Sequence, residues 1–235
     1  MKITSVQNQM IKDLVKLKDK KVRDKTDSLL VEGDHLIEEA RNANLIIKTL
    51  GNDQDDIEIS EHVSLKLSKT KSGSSRFAHI HKPKYELSKG SRFLVLDGVQ
   101  DPGNVGTCIR SAYSFGFDGV VLSLDCADEY NDKTIRASQG AIFHMPCIRM
   151  DLSDAFDFFN MHHMKIYATH VDDKSKVLSD VDPDEHFAVV MGSEGQGVSQ
   201  MTLNRKDETL HIETSHFESL NVAVACGIIC YKLRK

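Results

Sequence analysis

The residues able to do chemistry gather in three stretches: LDGVQDPGNVGTCIRSAYSFGFDGVVL (96–122), VVMGSEGQGVS (189–199) and HIETSHFESLNVAVACGIICY (211–231). Each begins at the carboxyl end of a strand-like apolar run, which is where open α/β sheets place ligands. Together they offer side-chain amides, a guanidinium, carboxylates and hydroxyls. Groups of these types orient a substrate and stabilise charge that develops on it. The common nucleotide signatures are missing. Gly192, Gly195 and Gly197 read G-x-x-G-x-G, and Gly98, Gly103 and Gly106 also miss the dinucleotide spacing. No phosphate-binding G-x-x-x-x-G-K-[ST] occurs, and no G-x-S-x-G nucleophile elbow. Either glycine loop, taken alone, also reads as ordinary turn chemistry.

These stretches need elements to position them, and periodicity supplies two α/β patterns. In the first, Ser5 caps a helix over 5–22 with Val6, Met10, Leu14 and Leu17 on its apolar stripe. Strands are expected at 28–31, 45–50, 56–60 and 77–81, with helices at 34–43 and 61–70 between them and a turn at 71–75. Polar KPKYELSKGS (82–91) reads as a linker. The second pattern alternates strands at 92–98, 119–123, 143–150, 165–171, 187–195 and 208–213 with helices at 105–116, 131–141, 153–164 and 219–235. Strands separated by helices predict a largely parallel sheet. The expected organisation is therefore a small domain over 1–81, a linker and a larger domain over 92–235.

The 235 residues carry a net charge of −5, unevenly placed. Residues 1–25 hold eight Lys and Arg against three Asp, and 66–92 hold eight against Glu86 alone. These stretches are net +5 and +7, so the rest is net −17. A basic front domain that meets phosphates, joined to an acidic one that does not, fits this pattern; an unevenly charged solvated surface fits it too. Five cysteines without a C-x-x-C pair argue against disulfides and structural zinc, and for a reducing cytoplasm. Cys226 and Cys230, at i and i+4, read as small core residues. His79/His81 and His162/His163 lack metal-ligand partners at useful spacing, so no metal is expected. The FDFF run (156–159) reads as core or dimer surface. No apolar run is long enough for a membrane span, and the first residues lack a signal peptide's apolar region.

Taken together, the three stretches resemble the motifs of the SpoU (TrmH) family of RNA 2'-O-ribose methyltransferases, in the family's order. Asn104 and Arg110 lie in PGNVGTCIRSA, Glu194 in GSEGQGVS, and Ser219 and Asn221 in ESLNVAVA. IRASQGAIFHMP (135–146) also resembles the family, and residues 3–40 look like the substrate-binding domain of its ribosomal-RNA branch. The resemblance implies a small ribosomal-protein-like α/β domain, then a parallel-sheet α/β domain with a deep trefoil knot. It implies S-adenosylmethionine as methyl donor, with S-adenosylhomocysteine as product, held around Thr169, Met191, Gly192, Ile212 and Leu220. It also implies a homodimer through the C-terminal domain, and the apolar run 222–231 is too uniformly apolar for a solvated terminal helix. One departure is plain. Glu213 and Thr214 stand where the family usually has Pro and an apolar residue, so a differently shaped adenine-side loop is expected.

On this reading, Asn104, Arg110, Glu194, Ser219 and Asn221 form the catalytic set. Arg110 lies nearest the attacking hydroxyl. A guanidinium stays protonated up to a pKa above about 12, so binding the target phosphate and the developing alkoxide suits it better than acting as general base. Asn104 and Asn221 would fix Arg110 and the ribose, Glu194 would pair with Arg110 or another basic group, and Ser219 reads equally well as the N-cap of the last helix. Lys16, Lys20, Lys21 and Arg23 would form an RNA-facing surface. Ribosomal RNA is favoured over transfer RNA. A non-catalytic ribosome-associated RNA-binding protein, and a metabolic enzyme with an atypical glycine loop, are the competing readings. The first has no need of the full polar set, and the second leaves the basic front domain unexplained.

Overall fold

The computed structural model describes residues 1–69, 73–172, 174–216 and 220–234. The chain forms two compact units: 1–84 with 130–144, and 85–129 with 145–235.

The first unit holds β1 (Lys2–Ile3), α1 (Gln9–Lys16), α2 (Lys20–Thr26), β2 (Ser28–Glu32), α3 (Asp34–Asn42), β3 (Ile46–Gly51), β4 (Ile57–Ile59), α4 (Glu61–Leu67) and β5 (Phe77–His81). Its sheet runs β1-β4-β3-β5-β2, with β5 antiparallel to both β2 and β3 and the other pairs parallel. One face packs Leu30, Leu50, Ile57 and Phe77 against Ile11, Leu14 and Leu17 and against Val63 and Leu67 of α4.

The expected helix over 5–22 is two helices. Asn8, not Ser5, caps α1 by accepting from Met10 N at 3.0 Å, and Asp19 restarts the chain by accepting from Lys21 N at 2.8 Å. Short polar side chains compete for backbone donors in this way, so a cap inside an apolar-periodic run splits it. The strand β1 escaped notice because two residues carry no period.

Residues 130–144, expected in the second domain, pack in the first unit. They carry α6 (Asp132–Ser138) and a 3-10 turn at Ala141–Phe143. His144 Nε2 lies 2.7 Å from Glu39 Oε2, and a Cβ on Gly140 would fall 2.7 Å from Glu39 Cβ. Only glycine permits that approach, the more so at φ +83°.

The second unit holds β6 (Arg92–Asp97), α5 (Pro102–Ser114), β7 (Gly119–Leu122), β8 (Cys147–Arg149), α7 (Leu152–Met161), β9 (Lys165–Thr169), β10 (Lys176–Val177), β11 (Phe187–Gly192), α8 (Gln200–Arg205), β12 (Glu208–His211) and α9 (Val222–Lys232). All seven strands are parallel, in the order β10-β12-β9-β11-β6-β7-β8. Covered on both faces, the central strands read as unbroken apolar runs: β7 and β11 are buried along their whole length. Phe156 and Phe159 of the FDFF run are fully buried core, with Phe158 packed at the edge. Helix α8 and strand β10 are too short to carry a sequence signal.

Candidate active site

From β6 the chain winds to β7 and β8, then returns to the other side of β6 for β9 and β11. The winding reverses beside β6, so the carboxyl ends of β6 and β11 are the predicted ligand position. Asp97 and Gly192 are paired neighbours at those ends.

The glycine-rich loop after β11 is a pinned hairpin. Ser193 and Gly197 exchange two backbone hydrogen bonds of 3.0 Å, so Glu194 sits on the three-residue reversal between them. Gly192 lies against the returning chain, where a Cβ would fall 2.1 Å from Gly197 C. Asp97, 6% exposed, anchors the far side: its Oδ2 accepts from Ser199 N and from Thr202 Oγ1, each at 2.7 Å. Sequence reasoning missed Asp97, although its place at the end of an apolar strand was a signal.

Asp101 starts α5 by accepting from Asn104 N at 3.0 Å, with Pro102 in the first turn. That cap aims Asn104, whose Nδ2 donates to Glu194 Oε1. Asn221 Nδ2 donates to Asn104 Oδ1 at 3.3 Å, while Asn221 Oδ1 caps α9 by accepting from Ala223 N at 2.9 Å and Val224 N at 3.3 Å. Three residues far apart in sequence thus form one chain of amide and carboxylate. Asn221, not Ser219, is the N-cap; Ser219 lies outside the described residues.

Arg110 stands apart from that chain. Asn104 and Asn221 bond to each other, and Glu194 pairs with Asn104, where the sequence suggested Arg110 and the ribose for the two amides and Arg110 or another basic group for Glu194. Six residues along α5 from Asn104, Arg110 is about 9 Å further down the helix axis. It is exposed, and among the described residues nothing hydrogen-bonds to its guanidinium.

A cavity of about 270 Å³ opens beside Glu194 at the ends of β9, β11 and β12, with α9 as one wall. It brings together Thr169, Met191, Gly192, Ile212 and Leu220, and Glu194 lines it as well. Val222, Ala225 and Ile229 were missed, although their spacing puts them on one helical face. His170 and His211 were missed too. Thr169 Oγ1 donates to Val190 O at 3.0 Å, which keeps its hydroxyl on the sheet. Thr214 lines the cavity, while Glu213 turns away and accepts from Ser179 Oγ at 2.9 Å. The lining suits a flat heterocycle joined to a cationic chain: an apolar helix face on one side, backbone groups at strand ends on another, and one carboxylate. Among the described residues, no group of three or more His, Cys, Asp or Glu could hold a metal.

In the first unit, Lys16, Lys20 and Lys21 are exposed, Lys16 bonding to Asp13 at 2.8 Å. Arg23 is 4% exposed. Its guanidinium donates to Leu17 O at 3.0 Å and Lys18 O at 2.9 Å, closing the end of α1. It therefore leaves the expected RNA-facing set. An arginine's charge is visible in a sequence, but its direction of pointing is not.

This parallel sheet, with a cavity at its carboxyl ends walled by the last helix, is the architecture of SpoU-type RNA methyltransferases. An S-adenosylmethionine-bound rRNA methyltransferase from Sinorhizobium meliloti superposes with TM-score 0.87 at 26% identity, over 99% of this chain and 96% of that one. An RNA 2'-O ribose methyltransferase gives TM-score 0.83 at 27% identity, over 99% and 97%. Residues 91–231 match the SpoU rRNA Methylase family, and residues 8–71 match the MRM3-like substrate binding domain. The chain is 38% identical to the Bacillus subtilis 23S rRNA (guanosine(2553)-2'-O)-methyltransferase RlmP, over 99% of its own length and 98% of that protein's. The 23S rRNA (guanosine-2'-O-)-methyltransferase RlmB of Coxiella burnetii is 36% identical over 60% of this chain. This chain belongs to the SpoU rRNA methylase family.

Proposed function

We propose that this protein transfers the methyl group of S-adenosylmethionine to a ribose 2'-hydroxyl of large-subunit ribosomal RNA. The observation that carries the reading is the cavity at the ends of β9, β11 and β12 with the Glu194–Asn104–Asn221 chain at its side. The full-length similarity to a 23S rRNA 2'-O-methyltransferase supports the choice of RNA.

When bound, the cofactor supplies an electrophilic methyl on a sulfonium. Glu194 sets a carboxylate in the cavity wall, which favours a cationic ligand over its neutral product. The Asn104 and Asn221 bonds hold that carboxylate in one orientation, and Asp97 holds the loop that bears it. Arg110, exposed and without a hydrogen-bond partner among the described residues, is available to bind a phosphate in its planar fork and to stabilise negative charge on the ribose oxygen as its proton leaves. A phosphate oxygen or a water takes the proton, because a guanidinium does not. Incubating the protein with labelled S-adenosylmethionine and unmodified 23S rRNA should place label on ribose oxygens. Absence of transfer to any ribosomal RNA, with the cofactor bound, would overturn the reading.

The working assembly is a homodimer through the C-terminal unit, inside the cytoplasm. Val224, Ile228 and Tyr231 form a stripe along α9 that stays 53%, 40% and 56% exposed in the single chain, and Tyr113 of α5 is exposed as well. A stripe of that kind calls for a partner surface. The trefoil knot of the fold, and residues 1–81 as the RNA-binding domain, complete the proposal. Light scattering at micromolar concentration reads the dimer, and Tyr231→Asp should shift it to monomer.

A further inference from the structure

The helices of the first unit leave one end of its sheet uncovered, and a cavity of about 500 Å³ opens there. Met10 and Leu14 of α1, with Leu17 at its C-cap, make an apolar wall. The floor is strand: Lys48 pairs directly with His79 across β3 and β5, and Ser28 with His81 across β5 and β2, so the four share one face. The register of β3 slips between Ile46 and Lys48 at the cavity, and such irregularities re-aim side chains. Among the described residues, no group hydrogen-bonds or ion-pairs with the side chain of Lys48, His79 or His81. Ser28 Oγ contacts only Thr26 Oγ1, at 3.0 Å. Asp13 at the rim is already bonded to Lys16 and Gln9, and Asp56, whose charge reaches Lys48, accepts from Thr49 N and Oγ1.

Three nitrogen-bearing side chains without partners beside an apolar wall suit one kind of ligand: a flat heterocycle attached to an anion. We infer that this cavity receives an unpaired nucleotide of the RNA substrate, with its base between the α1 wall and the imidazoles and its phosphate at Lys48. The inference rests on the proposed RNA substrate and adds a base-reading subsite to it. Burial and the neighbouring His81 and Lys48 lower the pKa of His79, so its ring is neutral at pH 7 and can both donate and accept at a base edge. An unpaired base splayed from a loop offers its edges and faces together, which a duplex does not. Charge complementarity points to RNA: residues 1–84 carry 16 Lys and Arg against 13 Asp and Glu, and Lys16, Lys20 and Lys21 are exposed on α1 and α2.

The test uses the full chain with a 23S rRNA transcript as methyl acceptor and as a labelled binding probe. His79→Ala and Lys48→Gln should raise KM and Kd for RNA at least fivefold, with kcat and the Kd of S-adenosylmethionine within twofold. His79→Ala should leave the salt slope of binding unchanged, whereas Lys48→Gln should lower it by about 0.7, the value for one single-strand phosphate. His81→Ala, at an exposed position, decides the matter where His79→Ala fails to fold. RNA affinity unchanged in every folded variant overturns the inference. Binding of free AMP or GMP tighter than the transcript also overturns it, in favour of a mononucleotide ligand. Failure of the wild type to methylate any ribosomal RNA would sink the proposed activity, while the binding measurements would still judge the cavity.

Discussion

The two sheets leave open ends for different reasons. In the second unit every strand is parallel, so every carboxyl end falls on one edge, and the cavity opens on that edge at β9, β11 and β12, with β11 next to the winding reversal beside β6. In the first unit the sheet is mixed, and its cavity lies between the sheet and α1, whose Met10 and Leu14 wall it. A gap fixed by topology can be expected from a strand pattern alone. A cavity walled by one helix cannot, because it depends on how that helix packs on the sheet. The parallel edge is also furnished by loops and backbone, with Gly192 and Gly197 closely apposed. The mixed edge is furnished by side chains, with Lys48, His79 and His81. Lesions at the first should therefore act through backbone fit, and lesions at the second through missing functional groups.

The largest expected effect lies at the parallel edge. Arg110→Ala should lower methyl transfer by roughly 10²- to 10³-fold, the scale for removing a donor to developing oxyanion charge. The affinity for S-adenosylmethionine should stay within a few-fold. Arg110→Lys should fail nearly as badly, since a point charge does not reproduce the fork. Near-normal turnover in either variant would remove Arg110 from the chemistry. Gly192→Ala comes next. Its methyl group has no room, and overpacking of about 2 kcal/mol should weaken S-adenosylmethionine about 30-fold by calorimetry. RNA binding should stay unchanged; a joint loss would mean that the two sheets do not act separately.

Glu194→Gln sharpens the same comparison. Removing the carboxylate should weaken S-adenosylmethionine about tenfold, or ~1.4 kcal/mol, and leave S-adenosylhomocysteine nearly unaffected, because only the former carries the sulfonium charge. Equal weakening of both ligands would show that Glu194 acts through shape. The smallest effect belongs to the basic helices. Neutralising Lys16, Lys20 and Lys21 together should weaken RNA binding a few-fold at moderate salt. Its log–log salt slope should flatten by roughly 0.7 to 0.9 for each phosphate that is no longer neutralised. Cofactor affinity should not move. An unchanged slope would take α1 and α2 off the RNA surface.

Much of this protein was legible in its sequence, because the legible parts rest on local rules. Buried parallel strands are continuous apolar runs, and β6, β7, β9 and β11 were found within a residue or two, apart from the loop start attached to β11. Motif residues sit at strand ends because the topology puts loops there, and the resemblance of those motifs to the SpoU family is what named Asn104, Glu194, Asn221 and the cavity residues. Direction and partnership were decided by tertiary structure. Arg23 counted as one more basic residue until the carbonyls of Leu17 and Lys18 turned it inward. Glu194 was a carboxylate in search of a cation until Asn104 met it across 90 positions. Residues 130–144 read as part of the second α/β pattern, yet Glu39, His144 and the bare Cα of Gly140 bind them into the first unit. Periodicity reports which face of an element is apolar. It does not report which element lies opposite, because that choice is made by long-range packing among faces that look alike in sequence.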